Sequence, residues 1–214
     1  MGFSKVSFSV AFSMSDGLVV DLFVEDRAHA DFVGAIVRRI ARQENRQIQL
    51  RVRNAKGGYP RVLSELDLYQ RMVLGGLANL SIPDILVVAA DANCHGLVAK
   101  KNALRQCLKA EFNNRTVLAV PDPHVERWYL SDSQAFKQVV GIQPPAERRK
   151  CERARYKQLL AQAVRDGGHP AILGGIEFAK ELADGMDLYR AGRAEPGFKQ
   201  FVSDAVSAFR LAVP

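Results

Sequence analysis

An uninterrupted apolar run, Ile-Leu-Val-Val-Ala-Ala at positions 85–90, is the feature that most constrains the fold, and it ends at Asp91. A strand with no polar face must be covered on both sides, which is typical of parallel strands flanked by helices. Further strands are predicted at Leu18 to Val24, Ile48 to Val52 and Thr116 to Val120. Residues Lys5 to Ser13 alternate apolar and polar side chains, which predicts a further strand in a hairpin with the first.

Helical patterns separate these strands. Apolar residues recur at helical spacing from Phe32 to Ile40, and further helices are predicted over residues 61–77, 97–111 and 124–130. This alternation predicts an α/β fold with a mostly parallel sheet, helices on both faces and right-handed crossovers. The strand signals stop before Pro144 and Pro145. We therefore predict an α/β domain over residues 1–143 and a helical C-terminal extension over residues 144–214 that packs on it.

Composition limits the class of protein. Hydrophobic residues make up 48% and charged residues 25% of the 214 positions, which is typical of a folded globular protein. The cysteines Cys94, Cys107 and Cys151 are odd in number and lie far apart, so neither a disulfide framework nor a zinc site is indicated.

The sequence lacks a signal-peptide pattern and any apolar run near the roughly 20 residues that span a bilayer, so we expect a cytoplasmic protein without a membrane partner. A net charge of +7 favours a polyanionic partner.

Acidic and amide side chains follow two of the predicted strands. Glu25 and Asp26 come after the first strand, and Asp91 and Asn93 after the apolar run. Because ligands bind at the carboxyl ends of parallel strands, we expect these side chains to converge. Oxygen ligands of this kind suit Mg²⁺ or Mn²⁺. The alternative is that Glu25 and Asp26 cap the next helix, where negative charge is stabilising.

Three short motifs occur in order along the chain. They are Val-Glu25-Asp, Val-Val-Ala-Ala-Asp91-Ala-Asn93 and Val-Pro-Asp-Pro-His-Val-Glu126-Arg-Trp128-Tyr-Leu. In this order they resemble the motifs of TOPRIM domains. The chain resembles in particular the small stand-alone TOPRIM-like proteins of bacteria and phages, which are related to the nuclease domain of overcoming-lysogenization-defect proteins. The last third of the sequence resembles their helical tail, so the resemblance covers most of the chain.

The resemblance implies a metal-dependent nuclease in which Glu25, Asp91 and Glu126 are catalytic, and Glu25, Asp91 and Asn93 hold Mg²⁺ or Mn²⁺. Asn93 stands where the family has a second aspartate. An amide oxygen can coordinate a hard cation but carries no charge, so affinity for a second metal should fall. Single-metal catalysis and lost activity both remain open. Trp128 is expected to pack beneath the site or simply in the core.

Basic residues supply candidate contacts to nucleic acid. They are Lys56, Lys100, Lys101, Arg148, Arg149 and Lys150. Lysine and arginine gain affinity for phosphates by releasing counterions, but the same residues are common on ordinary solvated faces. His29 and His124 lie near the predicted centre, and either could face the cleft. A histidine at the start of a helix is more commonly a surface residue.

The leading expectation is Mg²⁺-dependent phosphodiester hydrolysis on DNA or RNA. The resemblance adds a setting in phage defence or mobile-element biology, with a protein partner in a multi-component system. One alternative is a non-catalytic TOPRIM-like module that binds nucleic acid or a partner protein. A phospho-acceptor receiver domain also places acids after its strands, but no lysine follows the strand Thr116 to Val120 to meet a phosphoryl group.

Overall fold

The protein contains a four-stranded sheet. The structure, a computed structural model, describes residues 17–55, 61–77, 80–146, 152 and 154–212. Its strands are β1 (Leu18–Val24), β2 (Ile48–Asn54), β3 (Ile85–Ala89) and β4 (Thr116–Ala119). They are all parallel and lie in the order β2-β1-β3-β4, so the predicted α/β fold is confirmed. The predicted strand from Lys5 to Ser13, and the hairpin it implied, lie outside the described residues.

Nine α-helices occur within the described ranges. They are α1 (Arg27–Gln43), α2 (Arg61–Leu74), α3 (Leu97–Cys107), α4 (Glu126–Tyr129), α5 (Ser133–Val140), α6 (Arg155–Asp166), α7 (Ala179–Gly185), α8 (Leu188–Ala194) and α9 (Pro196–Leu211). None of the helices in these ranges is long and apolar enough to cross a membrane. The five helices from α5 onward are not interrupted by any described strand, which confirms a helical C-terminal region.

Three helices are shorter than their apolar patterns predict. Helix α2 ends at Leu74, because two glycines follow it. Helix α3 ends at Cys107, because Leu108 adopts an extended backbone with φ −72° and ψ 137°. Residues Ala110–Arg115 then form a 3-10 helix. Helix α4 is a single turn, and its first residue is the acidic Glu126.

Two apolar layers cover the sheet. On one face, Val20, Leu22 and Val24 pack with α1 and with helices from the C-terminal half of the chain. On the other face, Phe23 packs with apolar residues of α2 and α3. Successive residues of a strand point to opposite faces, so β1 serves both layers. This double coverage explains why β3 is apolar throughout.

Helix α9 joins the C-terminal helices to the core of the sheet. Phe198 and Phe201 are fully buried, and their ring centroids lie 5.1 Å and 5.7 Å from that of Trp128. At Gly197 a Cβ atom would lie 2.8 Å from the carbonyl oxygen of Val120, so only glycine allows this approach of α9 to the end of β4. The C-terminal helices therefore share one core with the α/β region, and Trp128 is part of it.

Candidate functional site

The carboxyl ends of β1 and β3 bring Glu25 and Asp91 together. These strands are neighbours, with Val24 opposite Ala89, so the residues that follow them emerge at the same edge. The backbone N–H of Glu25 donates to the carbonyl of Ala89 at 3.0 Å. The Glu25 Oε2 atom accepts a hydrogen bond of 3.1 Å from the backbone N–H of Asp91. The two predicted acidic residues are thus linked directly.

Asp91 is surrounded by hydrogen-bond donors. Only 5% of the residue is exposed. Its Oδ1 atom accepts a hydrogen bond of 2.8 Å from the backbone N–H of Val125 and lies 3.0 Å from His29 Nε2. Its Oδ2 atom lies 2.9 Å from His124 Nδ1. Burial raises the pKa of Asp91, but the two histidines outweigh burial and leave that pKa below its usual value.

His29 joins Asp91 to Asp26. The side chain of His29 is fully buried, and its Nδ1 atom lies 2.8 Å from Asp26 Oδ1. Asp26 is also the N-cap of α1 and accepts the backbone N–H of His29 at 3.1 Å. Burial lowers the pKa of His29, but the carboxylates of Asp91 and Asp26 outweigh it and raise the pKa to about 10. A buried imidazolium therefore lies between two carboxylates at neutral pH.

The sequence offered two interpretations of Glu25 and Asp26, convergence with Asp91 or capping of the next helix, and each applies to one residue. Asp26 caps α1. The carboxylate of Glu25 is directed toward Asp91 instead. The sequence contained a signal for His29 as well. A residue three positions after an N-cap lies in the first helical turn, and here that turn faces the sheet edge where Asp91 emerges.

His124 approaches Asp91 from the loop after β4. Its hydrogen bond with Asp91 raises the pKa of His124 against the opposing effect of burial. Its side chain is 16% exposed and lies at the rim of the cluster, in contact with the Asp91 carboxylate. The sequence favoured an exposed surface histidine at this position, and the structure differs. The loop is fixed by two backbone hydrogen bonds, from Ala92 to Pro121 and from Asn93 to Pro123, which hold it against the residues after β3.

Glu126 completes the acidic group. The residue is 2% exposed, and its pKa is raised by burial and by the charge of Asp91. Its Oε2 atom is fully buried and makes no hydrogen bond within the part of the chain that the structure describes. The ammonium of Lys157, on α6, lies 3.8 Å from Glu126 Oε1 and 3.8 Å from Asp26 Oδ2.

The basic residues divide into three groups. Lys100 is 3% exposed; burial lowers its pKa, while the carboxylates of Glu25 and Asp91 act in the opposite direction. Its side chain is buried near these carboxylates, and this burial argues against the predicted contact to nucleic acid. Lys101, the next residue, is half-buried. The remaining predicted contacts lie outside the described residues: Lys56, Arg148, Arg149 and Lys150.

Asn93 lies at the same edge of the sheet, where its backbone adopts an unusual conformation. Its φ of 47° is left-handed, a region that asparagine tolerates better than most residues. Its side-chain nitrogen lies 3.5 Å from the backbone carbonyl oxygen of Asp91. Among the described residues, no three His, Cys, Asp or Glu side chains are grouped so that they would hold a metal ion. The carboxylates of Asp26 and Asp91 contact histidine side chains, and those of Asp26 and Glu126 lie near Lys157.

Comparisons with protein-family models, curated proteins and solved structures gave no match to this chain. The resemblance to TOPRIM-like proteins rests on the order of short sequence motifs alone. The cluster itself contains four carboxylates, from Glu25, Asp26, Asp91 and Glu126, close to four basic side chains, from His29, Lys100, His124 and Lys157. Such an arrangement can bind cations through its oxygens and polyanions through its exposed ammonium group.

Proposed function

We propose that this edge of the sheet hydrolyses phosphodiester bonds of nucleic acid with the help of Mg²⁺ or Mn²⁺. The proposal is carried by one observation: the three separate segments that contain Glu25, Asp91 and Glu126 are linked by hydrogen bonds through Asp91. Glu25 accepts the backbone N–H of Asp91, and Asp91 accepts the backbone N–H of Val125, the residue before Glu126. The order of the same residues along the chain also resembles that of TOPRIM-type nucleases.

The oxygens present fit a hard divalent ion. One oxygen of Glu126 is buried without a hydrogen bond in the described part of the chain, which is costly unless a cation satisfies it. The histidine on Asp91 Oδ2 is at the rim and partly exposed, so a cation can replace it there. Glu25 and Asp91 would hold the ion, with Asn93 alongside. A bound ion polarises a phosphoryl oxygen and activates water.

The protein's own residues supply position and charge. His29 and the backbone of Val125 fix the orientation of Asp91, so this carboxylate is held in place before an ion or substrate arrives. The Lys157 side chain is 55% exposed beside the acidic group, where it can meet a phosphate. Lys101, on α3, would help to guide a nucleic-acid strand toward this edge.

Cleavage assays test the proposal. Purified protein is incubated with labelled single-stranded DNA, double-stranded DNA and RNA in Mg²⁺, Mn²⁺ or EDTA. We expect metal-dependent cleavage that falls by about 10²-fold or more in Glu25→Gln and Asp91→Asn, the scale of losing a group that stabilises developing charge. Asp166→Asn, which changes an exposed carboxylate on α6, serves as the matched control. Cleavage that persists in Asp91→Asn at the control rate would contradict the proposal.

A second candidate is a non-catalytic module that binds nucleic acid or a protein partner. It is favoured by the contacts of Asp91, whose two oxygens already face His29 and His124, and by the neutral Asn93. This candidate predicts retention of nucleic acid that is steeply salt-dependent and indifferent to EDTA, with no cleavage. A role in phage defence or mobile-element biology, within a multi-component system, rests on the family resemblance.

A further inference from the structure

A cleft, here called the β2 cleft, runs along β2 between that strand and α1. It consists of two adjoining cavities of about 750 Å³ and about 550 Å³, which share Arg38 and Arg42. Alternate residues of β2 lie in its wall: Ile48 and Leu50 in the smaller cavity, and Val52 in the larger. Alternate residues of a strand share one face, so the cleft has a continuous apolar wall along the strand.

The strand beside the cleft has a free edge. Among the described strands, β2 pairs with β1 alone, and it does so over all seven of its residues. An edge strand presents a row of unpaired backbone N–H and C=O groups, which can pair with another extended chain. The strand contains no proline or glycine that would interrupt such pairing. Its backbone can therefore accept a further extended segment.

The opposite wall of the cleft is basic. Arg38 and Arg42 lie four residues apart on one face of α1, and Arg46 follows the end of that helix. Among the described residues, these arginines line the smaller cavity without any carboxylate. Arg46 is anchored by two backbone carbonyls of α9, and Arg42 pairs with Asp184 at 2.9 Å while its side chain stays 61% exposed. Arg38 is exposed, and no ion pair joins it to another described residue.

Charge and surface chemistry decide between possible occupants of the cleft. A second copy of the chain is disfavoured, because pairing two β2 strands would bring Arg51 and Arg53 of both copies together, and like charges on neighbouring strands are destabilising. A single strand of nucleic acid is disfavoured as well, because its bases stack on aromatic rings and the described lining contains none. An extended peptide with carboxylate side chains meets neither objection.

We infer that the β2 cleft binds an extended, acidic segment of a partner protein, which adds to the free edge of β2 as a further strand. Backbone hydrogen bonds to β2 supply affinity, and carboxylates paired with Arg38 and Arg42 supply specificity. The acidic side chains belong in the smaller cavity, because Asp31, Glu177 and Asp184 line the larger one. The net charge of +7 attracts such a segment. This surface lies apart from Glu25 and Asp91, and peptide binding does not require the proposed hydrolysis.

The experiment measures binding of labelled peptides to the full chain by fluorescence anisotropy. The probe is a short peptide of alternating threonine and glutamate. Proline in place of threonine keeps its charge but prevents strand pairing, because proline lacks a backbone N–H, and lysine in place of glutamate reverses the charge. We expect the threonine–glutamate peptide to bind and the other two to bind at least tenfold more weakly. Arg38→Gln should weaken binding by about tenfold or more, the scale of one hydrogen bond between charged groups.

Arg105→Gln is the matched control, because Arg105 is an exposed residue of α3, which packs on the other face of the sheet. It should leave the peptide affinity unchanged. In the unmodified chain, hydrogen exchange of β2 amides should slow when the peptide is bound.

The inference is overturned if the threonine–glutamate peptide does not bind, if the proline peptide binds as tightly, or if Arg38→Gln leaves the affinity unchanged. Binding of a thymidine oligonucleotide that depends on Arg38, with no peptide bound, would assign the cleft to nucleic acid and also overturn it. Peptide binding in a protein that does not cleave nucleic acid would leave the inference standing and reject the proposed hydrolysis. Cleavage without peptide binding would do the reverse.

Discussion

The imidazole of His29 lies 3.0 Å from the carboxylate of Asp91, and both side chains are almost entirely inside the protein. A buried charge is costly unless an opposite charge compensates it, and here each group compensates the other. The same ring contacts Asp26, so the start of α1 and the end of β3 are joined through one side chain. Removing His29 would leave the buried Asp91 carboxylate with one fewer compensating charge.

The raised pKa of His29 predicts a dependence of stability on pH. Its pKa is about 10 in the folded protein, against an ordinary value of 6.5. Because the folded-state pKa is the higher one, the stabilisation is fully present below about pH 6.5 and is lost as the pH rises toward 10. We expect urea unfolding to show a decreasing free energy of unfolding over this window, and a flatter profile for His29→Gln.

His95→Gln, at an exposed position, is the control for that experiment and should retain the slope of the unmodified protein. Equal slopes for His29→Gln and the unmodified chain would mean that His29 does not hold the extra proton.

Asn93→Asp should increase affinity for divalent ions. The substitution adds a charged oxygen beside Asp91, and aspartate tolerates the left-handed backbone at φ 47°. Calorimetry with Mg²⁺ and Mn²⁺ should give a dissociation constant lower by several-fold, with Asn113→Asp as an exposed control. An unchanged constant would place Asn93 outside the ion's reach.

Lys100 and Lys101 should differ in their effect on nucleic-acid binding. Lys101→Met is expected to reduce the slope of log affinity against log salt by about 1, as the loss of one phosphate contact does. Lys100→Met should leave that slope unchanged, because Lys100 is 3% exposed and faces Glu25 and Asp91. Filter binding over a salt series compares the two variants. A reduced slope for Lys100→Met would show that its ammonium reaches the bound strand.

Phe201→Ala should destabilise the whole molecule by about 3–5 kcal/mol, the usual cost of truncating a buried phenylalanine. Phe201 stacks on Trp128, the single tryptophan of the chain, at a centroid distance of 5.7 Å. Tryptophan fluorescence and far-ultraviolet circular dichroism should therefore report one common transition in urea. Leu211→Ala, at a position 81% exposed, should change stability by less than about 0.5 kcal/mol. Separate transitions for the two probes would mean that the C-terminal helices unfold independently.

Local patterns in the sequence determined the elements and much of the acidic edge. The apolar run before Asp91 required a strand covered on both faces, and Asp26 stood at the capping position of the helix that follows β1. The alternation of strands and helices then required a parallel sheet, which gathers Glu25 and Asp91 at one edge. These features depend on neighbours close in the chain or on the periodicity of one element, so one sequence is sufficient to predict them.

Only the tertiary structure decided which charges meet. His29 with Asp91, Lys157 with Glu126, and the burial of Lys100 against the carboxylates all join segments that are distant in the chain. Such pairs depend on strand order and on the rotation of each helix about its axis, which residue periodicity leaves open. A charged side chain has the same pattern in the sequence whether it faces solvent or an opposite charge in the interior. The difference lies in desolvation and Coulomb energy, which exist only once the chain is folded.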